Sequence, residues 1–317
     1  MRKLLDIVIT HWNEPWEVGM NGIKMLSIQR RVDWSEISVT IIHDGSEAFP
    51  DEYFEDCPFV VEQVCIEHGG VSAARNYAIE HCKALWIKFC DFDDTFAGIY
   101  SVACIADALC GASKHDVLNL PFIVDVYKGG LVVRKESPVF IHDKVFRVSA
   151  LRSHHIRFYE DISFSEDFAF MSSIRIHIDQ SRIGNVNSNF PIYVYIQRID
   201  SIAHDKGRWY LNRCELFKSH KHVVDEMRAN NRIESADEMV ARTIAENYVV
   251  IRDADERIDT SGLFNLTREY YLQNKDSFNN VDESGIESVL NETNTQNESD
   301  ITKDEFLQWV EVKLNNE

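Results

Sequence analysis

The chain has 317 residues, 44% of them apolar, enough for one large core with additions or for two. A formal net charge of −19 excludes general nucleic-acid binding and simple electrostatic attachment to anionic lipid. Seven cysteines without metal-ligand or CxxC spacing read as free thiols, and no apolar run approaches the roughly 20 residues of a membrane-spanning helix. "MRKLLDIVIT" turns polar too soon to be a signal peptide, so a soluble cytoplasmic protein without a transmembrane segment is expected.

In chain order, "LLDIVIT" (4–10) predicts a buried strand, and "EVGMNGIKMLSIQRR" a helix that carries two glycines. "EISVTIIHDGS" predicts a second buried strand ending at Gly45, and "FVVEQVCIE" a third. "SAARNYAIEHC" has helical spacing from Ser72, and "ALWIKFCD" is again a strand. This alternation implies an α/β domain with a mostly parallel central sheet, whose chemistry gathers at the carboxyl ends of the strands. "THWNE", "HDGS" and "DFDD" all stand at such ends. Further on, "KGG" predicts an antiparallel hairpin, and Ser165 with the acids after it marks a helix start. "PIYVYIQR" is the last predicted strand. The expected organisation is a catalytic domain over 1–205, a helical extension over 206–275, and an acidic linker with an amphipathic helix over 276–317. Residues 276–317 hold 11 acids against 2 bases, so much of the net charge belongs to this tail.

"WIKFCDFDDTF" (86–96) ends an apolar run in Asp91, Asp93 and Asp94. Carboxylates this close repel one another and are tolerated mainly where a cation or a proton compensates. Oxygen-only ligands at a strand end suit Mn²⁺ or Mg²⁺, which also bind diphosphates. The plain alternative is a solvated acidic turn or helix cap. "FCDFDDT" resembles the first motif of haloacid-dehalogenase-like phosphatases, with Asp91 as nucleophile, Asp93 as acid/base and Thr95 following. At least two strand units precede it, however, and no later Gly-Asp or Asp-Asp strand end completes that site.

The strand ends taken together carry a broader resemblance. Trp12-Asn13 ends the first strand, Asp44-Gly45-Ser46 the second, and Gly70 to Asn76 opens a helix as Gly-x-x-x-Ala-Arg-Asn. The Asp-x-Asp-Asp end follows, and Glu166-Asp167 comes some seventy residues later. From about residue 4 to 204 this order resembles the family 2 glycosyltransferases of the GT-A fold. The resemblance implies a Rossmann-like GT-A domain, a nucleotide-diphosphate-sugar donor (a UDP-sugar first), and inverting transfer to a hydroxyl acceptor on a glycan or other polymer.

Residue by residue, it implies Asp93 as metal ligand, Asp91 on the ribose or a metal-bound water, and Asp94 in support. Asp44 would accept from the uracil imide, with Thr10, Trp12 and Asn13 around the base and Arg75 reaching the base or diphosphate. As alternatives, Asp44 is a turn residue and Trp12 a core residue. Asp167 is the implied general base, with Glu166 the other choice, although acids also favour a helix N-terminus without any catalytic role. His204 is implied as a further metal ligand. His142 and Lys144 face the diphosphate or acceptor, or pack at a strand edge. A non-enzymatic sugar-nucleotide-binding scaffold is a third reading. Finally, Ile301, Phe306, Trp309, Val310 and Leu314 form one helical stripe behind a Thr302/Glu305 capping box, suited to docking on this chain, a second copy or a partner.

Overall fold

A computed structural model describes residues 2–126, 130–197, 209–254 and 258–315. His204 lies outside the described residues. The chain divides into two units, Met1–Asp205 and Lys206–Glu317.

In the first unit, β1 (Leu5–His11), β2 (Ile37–Asp44) and β4 (Trp86–Asp91) are buried along most of their length. Near-continuous apolar strands need cover on both faces, and alternate side chains supply it. Ile7 and Ile9 enter one buried cluster while Val8 joins the other with Ile42 and Phe89. β3 (Val61–Ile66) pairs parallel with β2, β2 with β1, and β1 with β4. The helices α1 (Trp16–Ser27) and α2 (Val71–His81) supply crossovers between these strands. After β5 (Thr95–Phe96) and α3 (Ser101–Gly111) come β6 (Val117–Asn119), β7 (Phe122–Val126), β8 (Gly130–Arg134) and β9 (Lys144–Arg147). Then follow α4 (Val148–Ser153), α5 (Glu166–His177), β10 (Ile183–Asn185) and β11 (Tyr193–Ile196). The main sheet has the order β10-β6-β9-β4-β1-β2-β3, and a smaller one the order β5-β11-β7-β8. Only β9 runs antiparallel to its neighbours in the main sheet, and β7 and β8 form the expected hairpin.

The two glycines of α1 have a packing reason. A Cβ on Gly19 would stand 2.3 Å from the Phe92 ring, and one on Gly22 would stand 2.6 Å from the Asp94 carbonyl oxygen. Bare backbone on this helix face lets the turn after β4 sit directly against it.

The second unit is helical: α6 (Trp209–Ala229), α7 (Ile233–Asp253), α8 (Ser261–Gln273), α9 (Lys275–Asn280), α10 (Glu283–Asn297) and α11 (Lys303–Trp309). One tail expectation, the linker, is corrected, and of the three docking options for the stripe the structure shows docking on this chain. The expected linker at 276–300 is mostly helix, because Ile286, Val289, Leu290 and Thr293 share one face and are buried. Asp282 caps that helix by accepting from the Gly285 N–H at 2.8 Å. The apolar stripe is also spent within its own unit, with Ile301, Phe306, Val310 and Leu314 all buried in the helical core. It therefore offers no free docking face. Among the described residues, no helix is long and apolar enough to cross a membrane.

Candidate active site

Four segments meet at the carboxyl ends of the parallel strands. The register sets Thr10 beside both Ile42 and Asp91, so the ends of β1, β2 and β4 lie level. Trp12 projects beyond β1, half exposed, and its ring stacks on His68 at 5.1 Å and 14°. Asn13 adopts a left-handed φ of 59°, and its N–H donates to Ser46 Oγ at 2.8 Å, tying the first strand end to the second.

Asp44 points inward. Its Oδ1 accepts from the Gly69 N–H at 2.7 Å, and its Oδ2 from the Gly70 N–H and His68 Nδ1, both at 2.9 Å. Gly45 makes this possible, with a φ of +72° and no room for a Cβ, which would stand 2.5 Å from the His68 Cβ. The structure thus gives Asp44 a position that holds the loop after β3.

Arg75 is also placed differently from the expectation. It is 3% exposed and turned into the protein. Nη1 donates to Glu166 at 2.8 Å and to Asp167 at 3.0 Å, while Nη2 donates to Asp91 at 2.9 Å. Burial alone would lower its pKa, but Asp167, Asp91 and Glu166 more than offset this and hold the guanidinium charged. Arg75 is therefore a buried cross-link among three acids. Its neighbour Asn76 donates to the Phe158 carbonyl and the Glu160 carboxylate, both at 2.9 Å, fixing the segment that leads to α5.

Glu166 and Asp167 open α5 behind Ser165. That residue has a left-handed φ of 68° and makes no capping bond with its side chain, contrary to the cap expected of it. A strained residue here aims the two acids back at Arg75. Asp167 also accepts from the Ile141 N–H at 3.3 Å. Burial, assisted by Glu166 and Asp91 and opposed by Arg75, raises its pKa to about 8.

Within the acidic turn, Asp91 and Asp93 are half-buried and Asp94 is buried. Asp94 Oδ1 accepts from the Ile196 N–H at 2.8 Å, bracing β11 against the turn. Burial, then Asp91 and Asp93, push its pKa well above the carboxylate range, and its Oδ2 is buried without a hydrogen-bond partner. Among the described residues no group of three or more His, Cys, Asp or Glu forms a metal cage. Two accessible carboxylates on a turn, oxygen donors only, still fit Mg²⁺ or Mn²⁺, which keep few protein ligands and complete their shell with phosphates and water.

His142 and Lys144 are both buried. His142 is 3% exposed and stacks on Phe140 and Tyr195. Burial, then Lys88, Lys144 and Arg75, hold its pKa well below 6.5, so the ring is neutral. Lys144 is paired inside the protein with Asp143 at 2.6 Å. Sequence reasoning missed Lys88, fully buried on β4, which donates to the Phe89 and His142 carbonyls and lies 3.9 Å from the Tyr193 ring centre. A lysine inside "WIKFCD" was the available signal. It places a buried cation close to the acidic turn.

No protein-family model matches the chain. Over 213 residues it is 26% identical to the teichoic acid poly(glycerol phosphate) polymerase of Staphylococcus epidermidis, a match covering 60% of this chain and 28% of that protein. The chain thus spans less than a third of that curated relative. Among solved structures, residues 1–349 of S. aureus TarS in complex with UDP-GlcNAc align with a TM-score of 0.66, at 14% identity, over 95% of each chain. A longer S. aureus TarS structure aligns at 0.59, over 93% of this chain and 54% of that one. Sheet order, strand-end motifs and these likenesses identify the fold as GT-A, that of the family 2-like glycosyltransferases.

Proposed function

We propose that the chain is an inverting glycosyltransferase that moves a sugar from a nucleotide-diphosphate donor, a UDP-sugar first, to a hydroxyl on a glycan or wall polymer. The observation that carries the reading is Arg75 binding Asp91, Glu166 and Asp167 at one point, where the end of β4 meets the start of α5. The complexes of TarS with UDP-GlcNAc and UDP support a UDP-linked donor, and the name of the S. epidermidis relative supports a polymer acceptor. The haloacid-dehalogenase alternative falls with the fold.

In this reading Asp167 is the general base. Its carboxylate takes the acceptor's hydroxyl proton as that oxygen attacks the anomeric carbon opposite the departing nucleoside diphosphate, inverting the centre. Arg75 and the Ile141 N–H fix the orientation of the carboxylate. Burial raises its proton affinity, which suits a group that must accept a proton near neutral pH. Asp93, with Asp91 beside it, would hold a divalent cation. When bound, that cation supplies positive charge to the donor's diphosphate.

The test is UDP release from UDP-sugars in the presence of hydroxyl acceptors and Mn²⁺. Asp167→Asn is expected to keep UDP affinity and lose about 10²–10⁴-fold in transfer. Asp93→Asn is expected to abolish any gain in UDP affinity from Mn²⁺. Hydrolysis of simple phosphomonoesters that depends on Asp91 would overturn the reading.

A further inference from the structure

We propose that a cavity at the opposite end of the main sheet from the strand-end acids binds a phosphate group, held by Arg147 and Arg182. None of its residues belongs to the nucleotide-sugar site, so the proposal stands or falls apart from that reading.

The position follows from strand register. Arg147, the last residue of β9, pairs with Trp86, the first of β4, whereas Asp91 is the last of β4. The rise along β4 sets these two ends about 17 Å apart. At the Arg147 end a cavity of about 300 Å³ is lined by Asp116, Arg147, Ser149, His154 and Arg182. Buried Asp116 organises both arginines. Its Oδ1 accepts from Arg182 Nη2 at 2.7 Å and lies 3.2 Å from Arg147 Nε, while its Oδ2 accepts from Arg182 Nε. Arg147 is fixed further by the His115 and Ala112 carbonyls, which accept from its Nε at 2.9 Å and its Nη2 at 2.8 Å. Its Cζ lies 4.3 Å from the centre of the buried Trp86 ring.

The groups left over are donors. Among the described residues, Nη1 of Arg147, Nη1 of Arg182 and the exposed Ser149 Oγ have no hydrogen-bond partner. His154 adds a ring N–H at the cavity wall. Two guanidiniums here answer one carboxylate, a local surplus of positive charge in a chain whose formal net charge is −19. The Asp116 carboxylate is already spent on both arginines. Because these contacts order the two guanidinium forks beforehand, little side-chain entropy remains to be lost when a ligand binds. Planar N–H forks of this kind make short, charge-assisted bonds to phosphate oxygens. The cavity is at the small end for ligand sites yet larger than a bare anion. It therefore suits a phosphate that arrives attached to something, either a free phosphomonoester or a phosphodiester within a chain.

Calorimetry on the full chain in EDTA, with inorganic phosphate, ethyl phosphate and diethyl phosphate as probes, tests this. Working without metal removes any phosphate held through a cation at Asp93. Inorganic phosphate is expected to bind. Arg182→Gln removes one fork from a half-exposed position and should lower phosphate affinity about tenfold or more, the worth of one charge-assisted bond. Ser149→Glu changes an exposed side chain without partners and sets a carboxylate at the cavity, so it should abolish phosphate binding. Circular dichroism checks that both variants fold, and neither should change UDP affinity measured with Mn²⁺. Binding of ethyl phosphate alone assigns the site to free phosphomonoesters, and binding of diethyl phosphate as well assigns it to a phosphodiester of a chain. An unaltered chain that binds no phosphate, or phosphate affinity unchanged in both folded variants, would overturn the proposal and leave the nucleotide-sugar reading standing.

Discussion

One guanidinium, that of Arg75, holds Asp91, Glu166 and Asp167 at 2.8 to 3.0 Å from within the protein. Removing one partner of a buried ion cluster leaves uncompensated charge, so Arg75→Met is expected to destabilise the fold by about 3–5 kcal/mol in urea denaturation. Arg75→Lys should recover little, because a single ammonium cannot reproduce the fork that reaches three acids. The raised pKa of Asp167 sets two pH trends of opposite sense. As a base it works when ionised, so the transfer rate should climb with pH through neutrality and level off only above about 8. For stability, a proton held more tightly in the fold than at the ordinary 3.8 is a contribution complete below pH 3.8 and lost as pH rises toward about 8. Stopped assays and chemical melts across that range check both. The acids themselves were legible as motifs, since Asp-x-Asp-Asp and Glu-Asp are adjacent in sequence. The inward turns of Arg75 and Asp44 were not, because burial of these charged residues depends on partners 16 to 92 positions away.

The elements that form the site are joined at close backbone contacts. Gly22 of α1 touches the Asp94 carbonyl, and both the helix and the turn depend on that gap. Replacing a helical glycine by alanine ordinarily gains about 1 kcal/mol. Here Gly22→Ala should instead cost about 1–3 kcal/mol, because the added methyl meets backbone that has nowhere to go. Thermal denaturation gives the sign directly, and weakened Mn²⁺-dependent UDP binding should accompany it as the turn shifts. The parallel strands and their crossover helices were legible from hydrophobic period alone. α10 was not, since its Asn, Ser and Glu content outweighed the Ile286, Val289, Leu290 and Thr293 spacing that builds it. Composition describes the exposed face of a helix, whereas three or four buried positions decide whether it forms. The Thr302 cap is real, with its Oγ accepting from the Glu305 N–H, but Glu305 turns its carboxylate to Tyr248 and Arg252 instead of completing a capping box.

At the scale of the whole chain, the first unit has two buried clusters and the second has its own, and the strand-end acids all belong to the first unit. Truncation after residue 300 removes Ile301, Phe306, Val310 and Leu314 from the helical core, so it should unfold much of the second unit while UDP and Mn²⁺ binding persist. Limited proteolysis should then leave a fragment ending near residue 205 and degrade the rest. The late position of those four side chains also bears on synthesis. The ribosome delivers the chain from the N-terminus at about 5–20 residues per second. The sheet has its last strand once Ile196 emerges, yet the helical core stays open until Leu314 does. For the seconds between, α6, α7 and α8 wait with Val240, Ile244 and Tyr248 uncovered. That interval is when a nascent chain stalled near residue 300 should be held by chaperones or cut by proteases.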